Sequence, residues 1–221
     1  MPTTLTGPTV APRAGGPPRQ LVVLLHGVGA DGNDLIALAP ALGEALPHAT
    51  FIAPDAPQPC DMAPMGRQWF SLQDRRPEAL LRGAKAAAPV LNAFLDDRLA
   101  RHGLDDRRLA LVGFSQGAMM ALYVAPRRPR PCAGVLGYSG ALLGAETLTA
   151  EARSRPPVLL IHGDADDIVP VRALDLAVGG LQAAEIPVQW RVRPGLPHAI
   201  DPDGIRCGAA FLRAAFAEAA G

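Results

Sequence analysis

The run Leu109-Ala110-Leu111-Val112-Gly113-Phe114-Ser115-Gln116-Gly117-Ala118-Met119-Met120 sets a serine between an apolar strand and an apolar helix. Gly-x-Ser-x-Gly in that setting predicts a nucleophile elbow. The turn is so tight that the serine takes a strained backbone conformation and its Oγ stands clear of the strand end. Gly113 and Gly117 are expected there because a Cβ at either position would meet the neighbouring strand or helix. The N–H of Gln116 would then open a helix, where unpaired donors and the positive dipole end can receive a developing oxyanion. Five residues alone say little in a chain with 23 glycines; the strand before and the helix after give them meaning.

A serine hydroxyl is a poor nucleophile near neutral pH, so it needs a base within hydrogen-bond reach and a carboxylate to orient that base. Of the five histidines, His198 lies in Gly195-Leu196-Pro197-His198, a loop after the last predicted strand, where a side chain can hang over a sheet edge. His48 and His102 fall near helix ends and read as solvent-facing. His162 reads as structural, and His26 as orienting the loop it opens. The carboxylate is expected in His162-Gly163-Asp164-Ala165-Asp166-Asp167, where Asp164, Asp166 and Asp167 all qualify on spacing. These aspartates lack the spacing of a calcium loop, so no metal is expected. The second oxyanion donor is expected from His26-Gly27-Val28-Gly29-Ala30-Asp31-Gly32, with the Val28 N–H facing the serine. That loop matches neither Gly-x-Gly-x-x-Gly with its distal acid nor Gly-Lys-Ser/Thr, which argues against a nucleotide cradle.

These groups need a frame that delivers them to one place. Leu21–Leu25 is continuously apolar, as a strand buried on both faces must be. A helix is expected over Asp34–Ala45, capped by Asn33 or Asp34, with Leu35, Leu38, Leu42 and Leu46 at helical spacing. Thr50–Ala53 reads as a strand. Arg76–His102 reads as a long helical region that Pro89 should kink or break. Strands at Cys132–Tyr138, Pro157–Ile161 and Val188–Val192 follow, with helices at Val171–Ala184 and Pro202–Ala219. The alternation predicts an α/β fold with a mostly parallel sheet covered by helices on both faces. In such sheets sites lie outside the carboxyl ends of the strands, and the segments of Val28, Ser115, Asp166 and His198 all follow strands. Pro54–Leu72 is a long irregular stretch of the kind that is usually functional. Its Met65, Trp69 and Phe70 are candidate walls of a substrate pocket, with core packing as the alternative for the two aromatics.

At 221 residues the chain has the length of one such domain, placed at residues 21–221. Residues 1–20 form a Pro-, Gly- and Thr-rich segment with room for a short edge strand at Leu5–Val10. With 21 basic and 21 acidic residues and no long basic run, binding to nucleic acid or an anionic membrane through a charged patch is not expected. Cys60, Cys132 and Cys207 suggest neither a disulfide framework nor a zinc site. No leader pattern and no membrane-length apolar run is visible, so a cytoplasmic protein without stable membrane insertion is expected.

Taken together, the sequence resembles the phospholipase/carboxylesterase family of α/β-hydrolases, which includes bacterial carboxylesterases and acyl-protein thioesterases. The resemblance rests on Leu25-His26-Gly27-Val28-Gly29, Pro54-Asp55-Ala56-Pro57, Arg67-Gln68-Trp69-Phe70, the Ser115 elbow, His162-Gly163-Asp164-Ala165-Asp166 with Val169-Pro170, and the His198 loop. It implies that the second aspartate of His-Gly-Asp-x-Asp, Asp166, is the acid, a choice that spacing leaves open. It also implies an oxyanion hole at the backbone of Val28 and Gln116, no cofactor and no large cap domain. The chain order Ser115, Asp166, His198 is that of α/β-hydrolases. The implied activity is cleavage of carboxylic esters with short to medium acyl chains, with lysophospholipids and acyl thioesters as further substrates, through an acyl-enzyme. The expected partner is a small-molecule ester. The apolar faces are compatible with a homodimer, although no stretch reads as an interface. The same three residues would serve an acyltransferase. A non-catalytic binding protein on this scaffold is disfavoured because every expected catalytic position is filled, and a cysteine-nucleophile hydrolase because residue 115 is serine.

Overall fold

In the computed structural model, which describes residues 5–219, the apolar runs pair side by side. The strands are β1 (Thr9–Val10), β2 (Gln20–Leu25), β3 (Ala49–Ile52), β4 (Gln58–Pro59), β5 (Arg67–Gln68), β6 (Leu109–Phe114), β7 (Gly134–Tyr138), β8 (Val158–Gly163) and β9 (Val188–Arg193). Seven of them form one sheet in the order β1-β3-β2-β6-β7-β8-β9, while β4 and β5 pair as a small hairpin. Within the large sheet β1 runs antiparallel to β3 and every other pair is parallel. The chain leaves β2 toward β3 on one side, then returns to β6 and proceeds through β9 on the other. The order therefore reverses between β2 and β6, and a crevice opens outside the carboxyl ends of strands at such a point.

The continuous apolar strands follow from burial on both faces. Leu21, Val23 and Leu25 join an apolar cluster with Leu91 and Leu95, whereas Val22 and Leu24 join a second cluster with Leu42, Leu212 and Phe216. Strand residues alternate faces, so a strand covered on both sides must be apolar at every position. The covering helices are α1 (Gly32–Ile36), α2 (Ala39–Ala45), α3 (Pro77–His102), α4 (Gln116–Val124), α5 (Ala145–Glu151), α6 (Arg172–Ala183) and α7 (Pro202–Glu218). No insertion among the described residues builds a cap domain over the strand ends.

Several expectations shift. The helix over Asp34–Ala45 is two helices, because Pro40 sits in the first turn of α2, where its missing N–H costs nothing but where it cannot continue α1. Asp31, rather than Asn33 or Asp34, caps α1 by accepting from the Asn33 N–H. Pro89 does not interrupt α3. Leu91, Leu95 and Leu99 are buried against the sheet, and packing of one face outweighs a local helix-breaking preference. The helix stops at Gly103, whose φ of 63° lets Leu104 N–H reach back to the Leu99 carbonyl. Of the edge segment Leu5–Val10, Thr9 and Val10 pair as a strand. Helix α5 was not expected. Residues 1–4 lie outside the described residues.

Candidate active site

The elbow is a tightly constrained turn. Ser115 holds φ 53° and ψ −117° between β6 and α4, a conformation that costs a non-glycine residue about 1–3 kcal/mol. Its N–H donates to the Tyr138 carbonyl and its own carbonyl accepts from the Met119 N–H. A Cβ on Gly113 would stand 2.4 Å from the Ala118 nitrogen, and one on Gly117 would stand 1.8 Å from the Leu25 carbonyl oxygen. The first glycine therefore clears the start of α4 and the second clears the end of β2.

Strand β8 delivers an aspartate and the loop after β9 a histidine. Asp166 Oδ2 accepts from His198 Nδ1 at 2.7 Å. Asp166 Oδ1 accepts from the N–H groups of Ile168 at 3.0 Å and Val169 at 2.8 Å. Burial pushes the Asp166 carboxyl up, but the hydrogen bonds from His198, Val169 and Ile168 outweigh it and its pKa falls below the ordinary value. The carboxylate so held fixes the His198 proton on Nδ1 and leaves Nε2 free to accept. The other two aspartates separate from it: Asp164 accepts from the Gly195 N–H at 2.6 Å, and Asp167 is exposed. The His198 ring packs on Phe114, the neighbour of Ser115, with centroids 4.8 Å apart. No hydrogen bond joins Ser115 Oγ to His198 among the described residues. Arg193 closes the base of the His198 loop with two hydrogen bonds to Asp201 Oδ2, at 3.0 and 2.7 Å.

His162 is tied into the same turn. Its Nε2 lies 2.7 Å from the Val169 carbonyl oxygen, to which it donates, and 3.3 Å from Asp166 Oδ2. It thus lies beside the same carboxylate oxygen that accepts from His198.

The glycine loop after β2 hangs on His26, which is fully buried. Its Nδ1 donates to the Gly27 carbonyl at 2.7 Å and its Nε2 accepts the Ala56 N–H at 3.0 Å. Because the amide can only donate, the ring carries its proton on Nδ1. Burial lowers its pKa and keeps it neutral. The loop is also laced to the Pro54–Leu72 excursion, with Gly29 N–H on the Arg67 carbonyl and Arg67 N–H on the Ala30 carbonyl. The Val28 N–H has no acceptor among the described residues, and neither does the Gln116 N–H at the first turn of α4. Both lie at the β2/β6 crevice.

A profile of the phospholipase/carboxylesterase family matches residues 8–216. The chain belongs to that family. Acyl-protein thioesterase 1 of Mycosarcoma maydis is 31% identical over an alignment that covers 92% of this chain and 94% of that protein. Acyl-protein thioesterase 1 of Gibberella zeae is 28% identical over 208 residues, covering 87% and 88%. Among solved structures, esterase PE8 superposes with a TM-score of 0.91 at 45% identity, covering 96% of this chain and 99% of that one. The phospholipase/carboxylesterase of Dyadobacter fermentans gives 0.72 at 24% identity over 96% and 98%, a likeness of fold alone. The α/β-hydrolase fold and a hydrolase of the carboxylesterase/phospholipase type are thereby shown.

Within this phospholipase/carboxylesterase fold, the candidate pocket residues part company. Trp69 and Phe70 are buried at 0% and 2% exposure, and neither lines the cavity at Val28 or the cavity at His198. A buried indole N–H needs an acceptor, and that of Trp69 reaches the His26 carbonyl at 3.0 Å. Met65 is exposed and lines an open cavity of about 560 Å³ with Val28, Ala30 and Asp31. The residue that sequence reasoning missed is Gln116 as a side chain. Fully buried, its Oε1 accepts from the Trp69 N–H at 2.9 Å and its Nε2 donates to the Phe70 carbonyl at 2.7 Å. The available signal was a glutamine at the head of an otherwise apolar helix, since a buried amide must find partners. Among the described residues no cluster of three or more His, Cys, Asp or Glu side chains could hold a metal ion, and no helix is long and apolar enough to cross a membrane.

Proposed function

We propose that this hydrolase cleaves carboxylic esters through Ser115, His198 and Asp166, by way of an acyl-enzyme. The observation that carries this is the Asp166–His198 hydrogen bond of 2.7 Å set beside a strained serine turn. Ser115 Oγ attacks the ester carbonyl carbon as His198 Nε2 takes its proton. Hydrogen bonds between such a serine and histidine often tighten only with substrate in place. The carbonyl oxygen becomes an oxyanion and is held by the N–H groups of Val28 and Gln116. Asp166 stabilises the imidazolium, which then gives its proton to the leaving oxygen as the carbon–oxygen bond breaks. Water repeats the attack with His198 again as base, and the carboxylic acid departs. The chemistry needs no cofactor. Short to medium acyl chains are the proposed range. Acyl thioesters and lysophospholipids extend it, the former by analogy with the thioesterase relatives.

The test is hydrolysis of p-nitrophenyl esters of increasing acyl length by wild type and Ser115→Ala, with labelling by a serine-directed phosphonate. Turnover and labelling that both disappear in the variant support the reading. Turnover that survives Ser115→Ala in pure protein overturns it.

A further inference from the structure

The tetrahedral carbon formed on Ser115 carries four groups: Oγ, the oxyanion, the leaving oxygen and the acyl substituent. Their directions are constrained. The oxyanion faces the Val28 and Gln116 N–H groups. The leaving oxygen must come within hydrogen-bond reach of His198 Nε2, which returns the proton to it. The group carried by that oxygen is one bond further on and therefore starts at the imidazole. The acyl substituent takes the remaining direction, away from His198. A cavity with His198 in its own wall thus suits the alcohol half of an ester.

The molecule has such a cavity. It measures about 280 Å³ and lies between α1, the α1–α2 link, the end of β6 and the His198 loop. Leu35, Leu38, Phe114, His198 and Ile200 line it, with the exposed Asp34 on its wall. Leu38, Phe114 and Ile200 are only half-buried, so they offer apolar surface to an occupant. An apolar void of roughly 150 Å³ accepts a benzene ring, so a benzyl or butyl group has room here. The Asp34 carboxylate works against an anionic alcohol, because like charge in a cleft repels.

We propose that this cavity is the alcohol subsite, taking neutral apolar alcohol groups up to about benzyl size, with Leu35, Leu38, Phe114 and Ile200 as specificity residues. The assignment rests on the serine acyl-transfer reading above. It has a kinetic signature. The alcohol is gone once acylation is complete, so the subsite acts on kcat/KM through acylation, while deacylation depends on the acyl group alone.

The experiment compares kcat/KM for methyl, butyl and benzyl acetates with that for methyl acetate, butyrate and hexanoate. It uses wild type, Ile200→Trp to fill the cavity and Leu38→Ala to enlarge it. Folding is checked by circular dichroism and by phosphonate labelling of Ser115. Wild type should prefer benzyl or butyl over methyl acetate by about tenfold. Ile200→Trp should erase that preference, and Leu38→Ala should shift it toward larger alcohols, with the slope along the acyl series kept in both. Variants that change the acyl slope as much as the alcohol preference, or that leave the alcohol preference as in wild type, overturn the assignment. Loss of Ser115 dependence in the wild-type reaction would instead bring down the reading beneath it, so the two failures are distinguishable.

Discussion

Replacing Gln116 with methionine keeps the length of the side chain and removes its amide. Two buried backbone groups, the Trp69 N–H and the Phe70 carbonyl, then lose their partners. Trp69 is 0% and Phe70 2% exposed, so water cannot replace the amide without rearrangement. A buried polar group left unpaired costs about 1–3 kcal/mol, and two of them put the loss at roughly 2–6 kcal/mol. Against a total stability of about 5–15 kcal/mol that is severe. For a chain of this size each kcal/mol moves Tm by about 2–4 °C, so a fall on the order of 10 °C is expected. Urea unfolding should show a lower midpoint with an unchanged slope. The backbone N–H of residue 116 remains, so kcat should fall by less than the roughly hundred- to thousandfold that follows loss of an oxyanion donor. Gln116→Glu is the companion variant: as the carboxylate it can still accept from Trp69 but cannot donate to Phe70, whereas the protonated acid can do both, so its Tm should fall as pH rises through the titration of the new carboxyl. A Gln116→Met protein with wild-type Tm and urea midpoint would refute the clamp.

Asp166→Asn should lower kcat by about ten-thousandfold, since the amide no longer enforces the His198 tautomer, measured on p-nitrophenyl acetate. The same variant tests acid stability. The Asp166 carboxyl titrates lower folded than unfolded, so its contribution is complete above the ordinary carboxylate range and is lost as pH falls through the folded value. Melting scans taken between about pH 6 and pH 3 should therefore decline less steeply for Asp166→Asn than for wild type. His162→Phe removes the donor to Val169 and the neighbour of Asp166 Oδ2. A fall in kcat of about tenfold with KM little changed is expected, as for an interaction felt in the transition state, and an unaltered kcat would refute the role. Burial pushes the Cys132 thiol up to about 12, so iodoacetamide at about pH 8 should label Cys60 and Cys207 in the native protein and reach Cys132 only after unfolding; mass spectrometry of the labelled peptides decides.

Much of the frame was legible because it follows from local rules. The unbroken apolar run of Leu21–Leu25 requires burial on both faces, and the spacing of Gly113, Ser115 and Gly117 requires a particular turn. The convergence of Val28, Ser115, Asp166 and His198 follows from strand order in a parallel sheet. What escaped depends on contacts between distant segments. Asp164, Asp166 and Asp167 are alike in sequence, and they diverge because Asp164 meets Gly195 while Asp166 meets His198. The amide of Gln116 closes on Trp69 and Phe70 across a gap that no periodicity spans, and the same closure draws those aromatics into the interior. The split between α1 and α2 was written in Pro40, but the leucine spacing on either side masked it.

Strand β9 lies at the edge of the sheet and carries the loop that holds His198. Edge elements open before the centre of a sheet does. Fraying of β9 would withdraw the histidine while the serine turn, seated between central strands, stays formed. Loss of activity is therefore expected to precede global unfolding. Its two tryptophans report on the two halves of that sequence. Trp190 sits on β9 at 43% exposure, and Trp69 lies at 0% beneath the glycine loop. In rising denaturant the fluorescence of Trp190 should follow the loss of turnover, and that of Trp69 the later loss of the fold.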